Sequence, residues 1–509
     1  MLDEQAKLAG GISRLTRRDV LQGAAAVAAS SLLSGCGSAT PSAVTTQAAL
    51  NPQPVPAGAL TQATLSVTAT SAGTIGPAFA GLSYEKSSLY EPLFTASNAD
   101  LIGMFKRLGS SVLRIGGNSV DENVWTPNGA GQTAGQIAPS DVAALAAFVK
   151  ATGWQCLYGI NLGGSAAGTQ TTALAAAEVA YAAQQFGSSL LGIEIGNECD
   201  LYGDSGSYYA GNWSLAKFET LWAQYRTAIL AVTPGVAITG PASAGNESSW
   251  TVPFGTTVTK SEITLLTQHY YRANGQLATS TATYLVTPDT ALAGNLAVLQ
   301  AGAKNIGVPY RMSECNSYYN GGASGVSDAY CSSLWVLDYL FNCVQGGASG
   351  VNFHGGGNGT GYTPIANSSG TVVQARPEFY GIVLFTLAGQ GTLYTTVVSA
   401  GALNVTGYAV KTASGGLNVV VVNKDPVQNL QMSIALPQSV STASLLEMTQ
   451  LSSGATAPSL SATAGVTIQG ASVNVDGTFS PGAAYTLTAG GTQVSCYVPA
   501  LSAVLLQLV

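Results

Sequence analysis

From about residue 79 to 390, short apolar runs alternate with stretches of helical spacing. Strand-like runs fall at Phe79–Tyr84, Val112–Ile115, Gln155–Ile160, Leu191–Ile195, Val236–Thr239, Thr264–Tyr271, Val308–Met312 and Gly350–Phe353. Helical periodicity or strong helix formers occupy Leu101–Leu108, Asp141–Thr152, Leu174–Phe186, Leu221–Val232, Leu292–Asn305, Ala329–Val344 and Phe379–Leu387. Only the interval between the fifth and sixth runs lacks a helical pattern. Eight such units in roughly 300 residues predict an α/β fold, a (β/α)8 TIM barrel with its chemistry at the carboxyl ends of the strands. A doubly wound open sheet is the competitor, but no GxGxxG or GxxxxGK follows the first run. After about residue 390 the helical signal vanishes and Val, Leu, Thr and Ser runs alternate between glycines, as in Leu417–Val422 and Ala503–Leu508. That texture predicts a C-terminal all-β sandwich, and the run Ala63–Thr70 ahead of the barrel is expected to supply it with an N-terminal strand.

The first residues read as an address. Arg17-Arg18 precede an apolar run from Val20 to Leu33, which is too short to span a bilayer as a helix, and the run ends in Leu33-Ser34-Gly35-Cys36. This resembles a twin-arginine export signal with a lipoprotein cleavage box, so export to the cell envelope and a lipid on Cys36 are expected, with no other membrane attachment. Ala, Pro, Thr and Gln without periodicity then suggest a tether. The expected organisation is a signal at 1–36, a tether at 37–60, the extra strand at 61–76, the barrel at 77–390 and the sandwich at 391–509.

Composition narrows the partners. Only 8% of the 509 residues are charged. Beyond residue 36, 14 basic residues (18 less 4) face 22 acidic ones (25 less 3), a net of −8. Nucleic acid and long polyanions are therefore disfavoured. Six cysteines follow Cys36, without metal-like spacing, and the chain has two histidines, so no metal is expected. Mostly free thiols are expected too, with Cys331 and Cys343 the first pair to test as a disulfide.

With 13 glutamates in the chain, one at the carboxyl end of a barrel strand is informative. Glu198 follows the fourth run in Gly196-Asn197-Glu198-Cys199-Asp200, and Glu314 follows the seventh in Met312-Ser313-Glu314-Cys315-Asn316. Strands four and seven lie across a barrel mouth, so the two carboxyls can converge on one sugar. A retaining glycosidase needs them ~5–5.5 Å apart, one protonated to donate to the leaving oxygen and one ionised to attack. Arg114 and Tyr271 are plausible neighbours that keep Glu314 ionised. Strand alternation puts His269 and Tyr271 on one face, and His354 ends the eighth run.

These residues carry a resemblance. Gly81-Leu82-Ser83-Tyr84-Glu85, Leu113-Arg114-Ile115-Gly116-Gly117-Asn118, Ile195-Gly196-Asn197-Glu198, His269-Tyr270-Tyr271, Ser313-Glu314-Cys315-Asn316 and Gly350-Val351-Asn352-Phe353-His354-Gly355-Gly356 span the barrel in order. Together they resemble family 79 of the glycoside hydrolases, the β-glucuronidase and heparanase relatives in the large retaining (β/α)8 clan. The resemblance implies Glu198 as acid/base, Glu314 as nucleophile, Asn197 on the sugar 2-hydroxyl, and Glu85 and Asn118 as hydroxyl-binding residues. It also implies that Tyr319, Asn320, Gly321 and Gly322, with Tyr362, grip a glucuronate carboxylate through hydroxyls and backbone amides; Tyr271 is a further candidate for substrate binding. The expected activity is removal of terminal β-linked glucuronic acid without a cofactor. A β-glucosidase or β-xylosidase of the same clan, an endo-acting glycosaminoglycan hydrolase and a non-catalytic carbohydrate-binding lipoprotein are the rivals.

Overall fold

The computed structural model describes residues 51–359 and 361–509. The signal segment, Cys36 and the tether up to residue 50 lie outside the described residues. Among those described, no helix is long and apolar enough to cross a membrane.

Eight parallel strands close into a barrel: Ala80–Glu85, Val112–Gly116, Gln155–Ile160, Leu190–Ile195, Ile238–Ser243, Leu265–Asn274, Tyr310–Tyr319 and Val351–Gly355, with the sixth pairing the seventh and the eighth pairing the first. Each of the eight predicted runs supplies one strand. Four of the helices between them begin where a short polar side chain satisfies a free backbone N–H of the first turn. Asn98 accepts from the N–H of Leu101, Thr171 from Leu174, Ser214 from Lys217 and Asp289 from Leu292. The fifth interval, expected to lack a helix, holds a five-residue π-turn, Glu247–Thr251, and a six-residue helix, Val252–Thr257. Pro253 and Gly255 keep it too short to leave a periodic signature.

The barrel interior is polar at both ends. At the bottom Arg311 donates to Asn352 Oδ1 at 2.6 Å and to the carbonyls of Ala78 and Val351 at 3.1 and 3.0 Å. A second polar cluster, around Arg114, fills the opposite end.

The C-terminal half-domain is one ten-stranded sheet that folds over itself into a sandwich. Nine strands form its path, Val466–Ile468, Ala443–Gln450, Ser502–Leu508, Leu417–Asn423, Val405–Thr412, Gly391–Ser399, Thr61–Ile75, Leu430–Val440, Gly491–Val498, and the tenth, Tyr485–Thr486, pairs with Ala443–Gln450 off that path. The N-terminal strand pairs antiparallel with Gly391–Ser399 and parallel with Leu430–Val440. Leu65, Ile434 and Val494 from one end share a core with Val419, Leu445 and Leu506 from the other. The Val419–Val422 run is continuous because both faces are buried: Val419 and Val421 face that core, and Val420 and Val422 join the core of the barrel.

Two expectations need correction. Residues 51–53, read as tether, are fixed to the sandwich: Asn51 Nδ2 donates to the Ala483 carbonyl at 3.0 Å, and Gln53 exchanges two hydrogen bonds with the Tyr497 backbone at 2.8 and 3.0 Å. Side-chain amides can satisfy strand backbone without any apolar period to announce it. Cys331 and Cys343 cannot form a disulfide, because both sit on the helix Tyr330–Gln345, about 18 Å apart along its axis, whereas a bridge needs Cα atoms within about 7 Å. All six described cysteines are free and buried.

Candidate active site

The site is built around one buried guanidinium. Arg114, on the second strand, is fully buried and donates to Glu194 Oε2 and Glu314 Oε2, both at 2.6 Å, and to Asn197 Oδ1 at 2.8 Å. Burial opposes its charge, but the two carboxylates more than offset this and raise its pKa. A single cation thus orients a strand-four carboxylate, the strand-seven carboxylate and the asparagine beside Glu198.

Glu314 is almost wholly buried. Tyr271 donates to its Oε1 at 2.8 Å, and the Nδ1 atoms of His354 and His269 lie 3.7 and 4.0 Å from its Oε2. Burial pushes this carboxyl up, yet His354, His269 and Arg114 together with the Tyr271 hydrogen bond hold it well below the usual carboxylate range. It rests ionised.

Strand seven carries an irregularity between Met312 and Glu314, where the pairing shifts so that Glu314 stands opposite His269. Such a bulge re-aims a side chain. Here it turns Glu314 toward the mouth.

Glu198 reaches the same cavity by a different device. Gly196 has φ 85° and Glu198 φ 49°, so the chain leaves strand four through a left-handed turn. A Cβ at Gly196 would stand 2.5 Å from Cys199 Sγ and 2.9 Å from the Tyr202 hydroxyl, so the turn needs glycine for room as well as for its dihedral. Glu198 is 20% exposed, and its Oε1 lies 3.2 Å from His269 Nδ1. One ligand atom each from Glu198, His269 and Glu314 lie within 4.8 Å of one another. The trio could geometrically surround a cation. However, Arg114 sits 2.6 Å from Glu314 Oε2 and Tyr271 donates to its other oxygen, so both oxygens of Glu314 are already engaged by donors.

The other sequence-predicted residues line this cavity. Asn197 Nδ2 donates to Asn118 Oδ1 at 3.2 Å. Glu85 accepts from the Ser119 N–H at 2.9 Å and hydroxyl at 2.6 Å, and its Oε1 lies 3.4 Å from His354 Nε2. His354 therefore stands between two carboxylates; although burial disfavours its charge, Glu314 and Glu85 raise its pKa. Close by, Tyr271 packs 6.3 Å from Tyr319 and 5.5 Å from Tyr362, and Tyr362 lies 6.0 Å from His354, centroid to centroid. Asn320, Gly321 and Gly322 follow in succession with φ 58°, 79° and 81°. Among the described residues, no acceptor takes the N–H of Gly321, Gly322 or Tyr362. Consecutive N–H groups in such a turn form a concavity suited to an anion.

Three contributors escaped the sequence reading. Glu194 is the second buried partner of Arg114; an acid inside the apolar run Ile193-Glu194-Ile195 was its signal. Asp121 accepts from the N–H groups of Leu162, Gly163 and Asn197 at 2.8, 2.9 and 3.3 Å and from the Tyr202 hydroxyl at 2.5 Å, tying three loops together. Ser83 lies 3.0 Å from His354 Nδ1.

Comparison with known proteins agrees with this picture. No family model matches the chain. It is 24% identical over 337 residues to a β-glucuronidase of Aspergillus niger, an alignment covering 60% of this chain and 61% of that protein. The aligned part is thus less than two thirds of the relative's length. Among solved structures, a 4-O-α-L-rhamnosyl-β-D-glucuronidase from Fusarium oxysporum superposes with a TM-score of 0.72 at 19% identity, covering 87% of this chain and 100% of that one. An arabinofuranosidase of glycoside hydrolase family 51 from Xanthomonas axonopodis pv. citri gives 0.61 at 14% identity, covering 88% and 100%. The structural likenesses show the fold, a barrel with its β domain, and the sequence similarity is to a protein named a β-glucuronidase.

Proposed function

We propose that this protein is a retaining glycoside hydrolase that removes terminal β-linked glucuronic acid from oligosaccharides or glycoconjugates. The observation that carries the reading is the convergence of Glu198 and Glu314, whose nearest oxygens lie within 4.8 Å across the barrel mouth. So close an approach favours the ~5–5.5 Å spacing of a double displacement over the ~6.5–9.5 Å of an inverting enzyme. In the first step Glu314 Oε attacks the anomeric carbon, the glycosidic C–O bond breaks, and Glu198 gives its proton to the departing oxygen. In the second, Glu198 takes a proton from water, which attacks the same carbon and releases Glu314. Asn197, held by Arg114, presents its amide to the 2-hydroxyl, where a hydrogen bond strengthens as charge develops. The glucuronate carboxylate fits the turn at Gly321 and Gly322, with the Tyr271, Tyr319 and Tyr362 hydroxyls around it.

Proton NMR of a β-glucuronide digest tests the mechanism: the β anomer of glucuronic acid must form first. Side-by-side rates on aryl glucuronide, glucoside and xyloside test the sugar; a faster glucoside replaces the glucuronide reading with that of a neutral-sugar hydrolase. Glu314→Gln should lose several orders of magnitude in kcat, and undiminished turnover rules out this nucleophile; a wild type that binds glycosides without cleaving any admits the carbohydrate-binding rival. We further read residues 1–36 as an export signal that leaves a lipid on Cys36. Cell fractionation of wild type against Cys36→Ser checks this, since loss of the lipid should release the protein from membranes.

A further inference from the structure

The turn that suits a carboxylate has no cation in its wall, yet one stands behind it. Arg376 precedes the helix Pro377–Ala388 and is 5% exposed. Its guanidinium donates to the carbonyl of Gly361 at 2.7 Å and to that of Gly359. Among the described residues no carboxylate lies within 4.0 Å of it, and its Nε finds no partner. A buried cation without a carboxylate in contact is costly. Its hydrogen bonds end on peptide carbonyls of a single loop, and Asp328 and Glu378 act on it only from beyond ion-pair distance.

The geometry of the peptide gives this arrangement direction. The Gly361 carbonyl and the Tyr362 N–H are opposite ends of one planar trans unit. A guanidinium on the oxygen therefore turns the N–H away from itself and makes it a stronger donor. The Tyr362 nitrogen lies 2.8 Å from the position a Cβ on Gly322 would take, which sets it beside the left-handed turn of Asn320 to Gly322. The backbone of Arg376 fixes the same loop from its other side, donating to the Pro364 carbonyl at 2.9 Å.

We propose that Arg376 is a positioning residue for the carboxylate of the substrate, clamping and polarising the Gly361–Tyr362 peptide so that its N–H receives an anion without exposing a charged side chain. The inference rests on the glucuronide reading above and explains how a mouth already rich in carboxylates accepts one more.

The test compares wild type with Arg376→Met, which keeps the stem but loses the charge, and Arg376→Lys, which can reach one carbonyl but not both. Each is assayed on an aryl β-glucuronide and the matching β-glucoside, and binding of free D-glucuronate is measured by calorimetry. In Arg376→Met the KM for glucuronide should rise at least tenfold with kcat within about threefold. Glucuronate should bind at least tenfold more weakly, and the glucoside constants should fall less than those of the glucuronide. Arg376→Lys should lie between. Should Arg376→Met not fold, the lysine variant alone decides, because a merely structural role lowers both substrates together. Parallel losses, or an unchanged preference in an active wild-type background, overturn the clamp alone. A wild type that neither cleaves glucuronide nor binds glucuronate overturns the reading beneath it as well.

Discussion

Replacing Tyr271 by phenylalanine removes a hydroxyl that donates to the nucleophile and, in the proposed reading, also faces the sugar carboxylate. The hydroxyl donates to Glu314 Oε1 at 2.8 Å in a buried setting, and a hydrogen bond to a charged group contributes about 1.5–3 kcal/mol. The ring itself remains packed beside Tyr319 and Tyr362, so the fold should survive. Losing an interaction of that size lowers kcat/KM roughly 10- to 150-fold if it holds the carboxylate in its attacking orientation. A second signature concerns pH. The bond is among the influences that hold the Glu314 carboxyl low; without it the folded pKa rises, and the acid limb of kcat/KM moves to higher pH. Stopped chromogenic assays across the acid range, with the melting temperature as control, give both numbers. A variant with wild-type kcat/KM and an unmoved acid limb would refute the role assigned to this hydroxyl.

Other outcomes follow from the same contacts. Arg114→Met leaves Glu194 and Glu314 buried without their cation, so thermal or denaturant unfolding should show a loss of about 3–5 kcal/mol; adding Glu194→Gln should restore part of the stability and none of the turnover. Glu378 is fully buried, one of its oxygens has no partner, and burial pushes its carboxyl up to about 8. Because the folded protein holds this proton when the unfolded chain has released it, stability should fall by ~3–4 kcal/mol between pH 5 and 8.5. Glu378→Gln should flatten that slope in calorimetry, and equal slopes would count against it. Gly196→Ala forces a side chain into a left-handed turn against Cys199 and Tyr202; about 1–3 kcal/mol of destabilisation is expected, together with a drop in kcat as Glu198 swings out of line.

The carboxyl ends of strands four and seven were legible because a rare residue type fell at a period boundary in a sequence with few charges. Arg114 and Tyr271 followed from where a cation and a phenol could reach. What the sequence could not convey was the register. The shift at Met312 and Glu314 decides which strand-six residue faces the nucleophile, and strict alternation has no way of encoding it. Glu194 reads as one more residue of an apolar strand until barrel closure sets it beside Arg114. Asp121 acts through three loops that converge only in three dimensions. The single folded-over sheet, in place of two separate sheets, depends on pairings such as Thr61–Ile75 with Leu430–Val440 that join segments hundreds of residues apart.

The strand Gly491–Val498 ends the sheet, and Gln53 occupies its outer rim at Tyr497, the carboxamide acting as a substitute peptide group. Unsatisfied strand rims invite other chains to add themselves. Recombinant versions trimmed past residue 53 would therefore uncover a sticky border far from the sugar cleft, and they should self-associate on a sizing column while each molecule still turns over substrate normally.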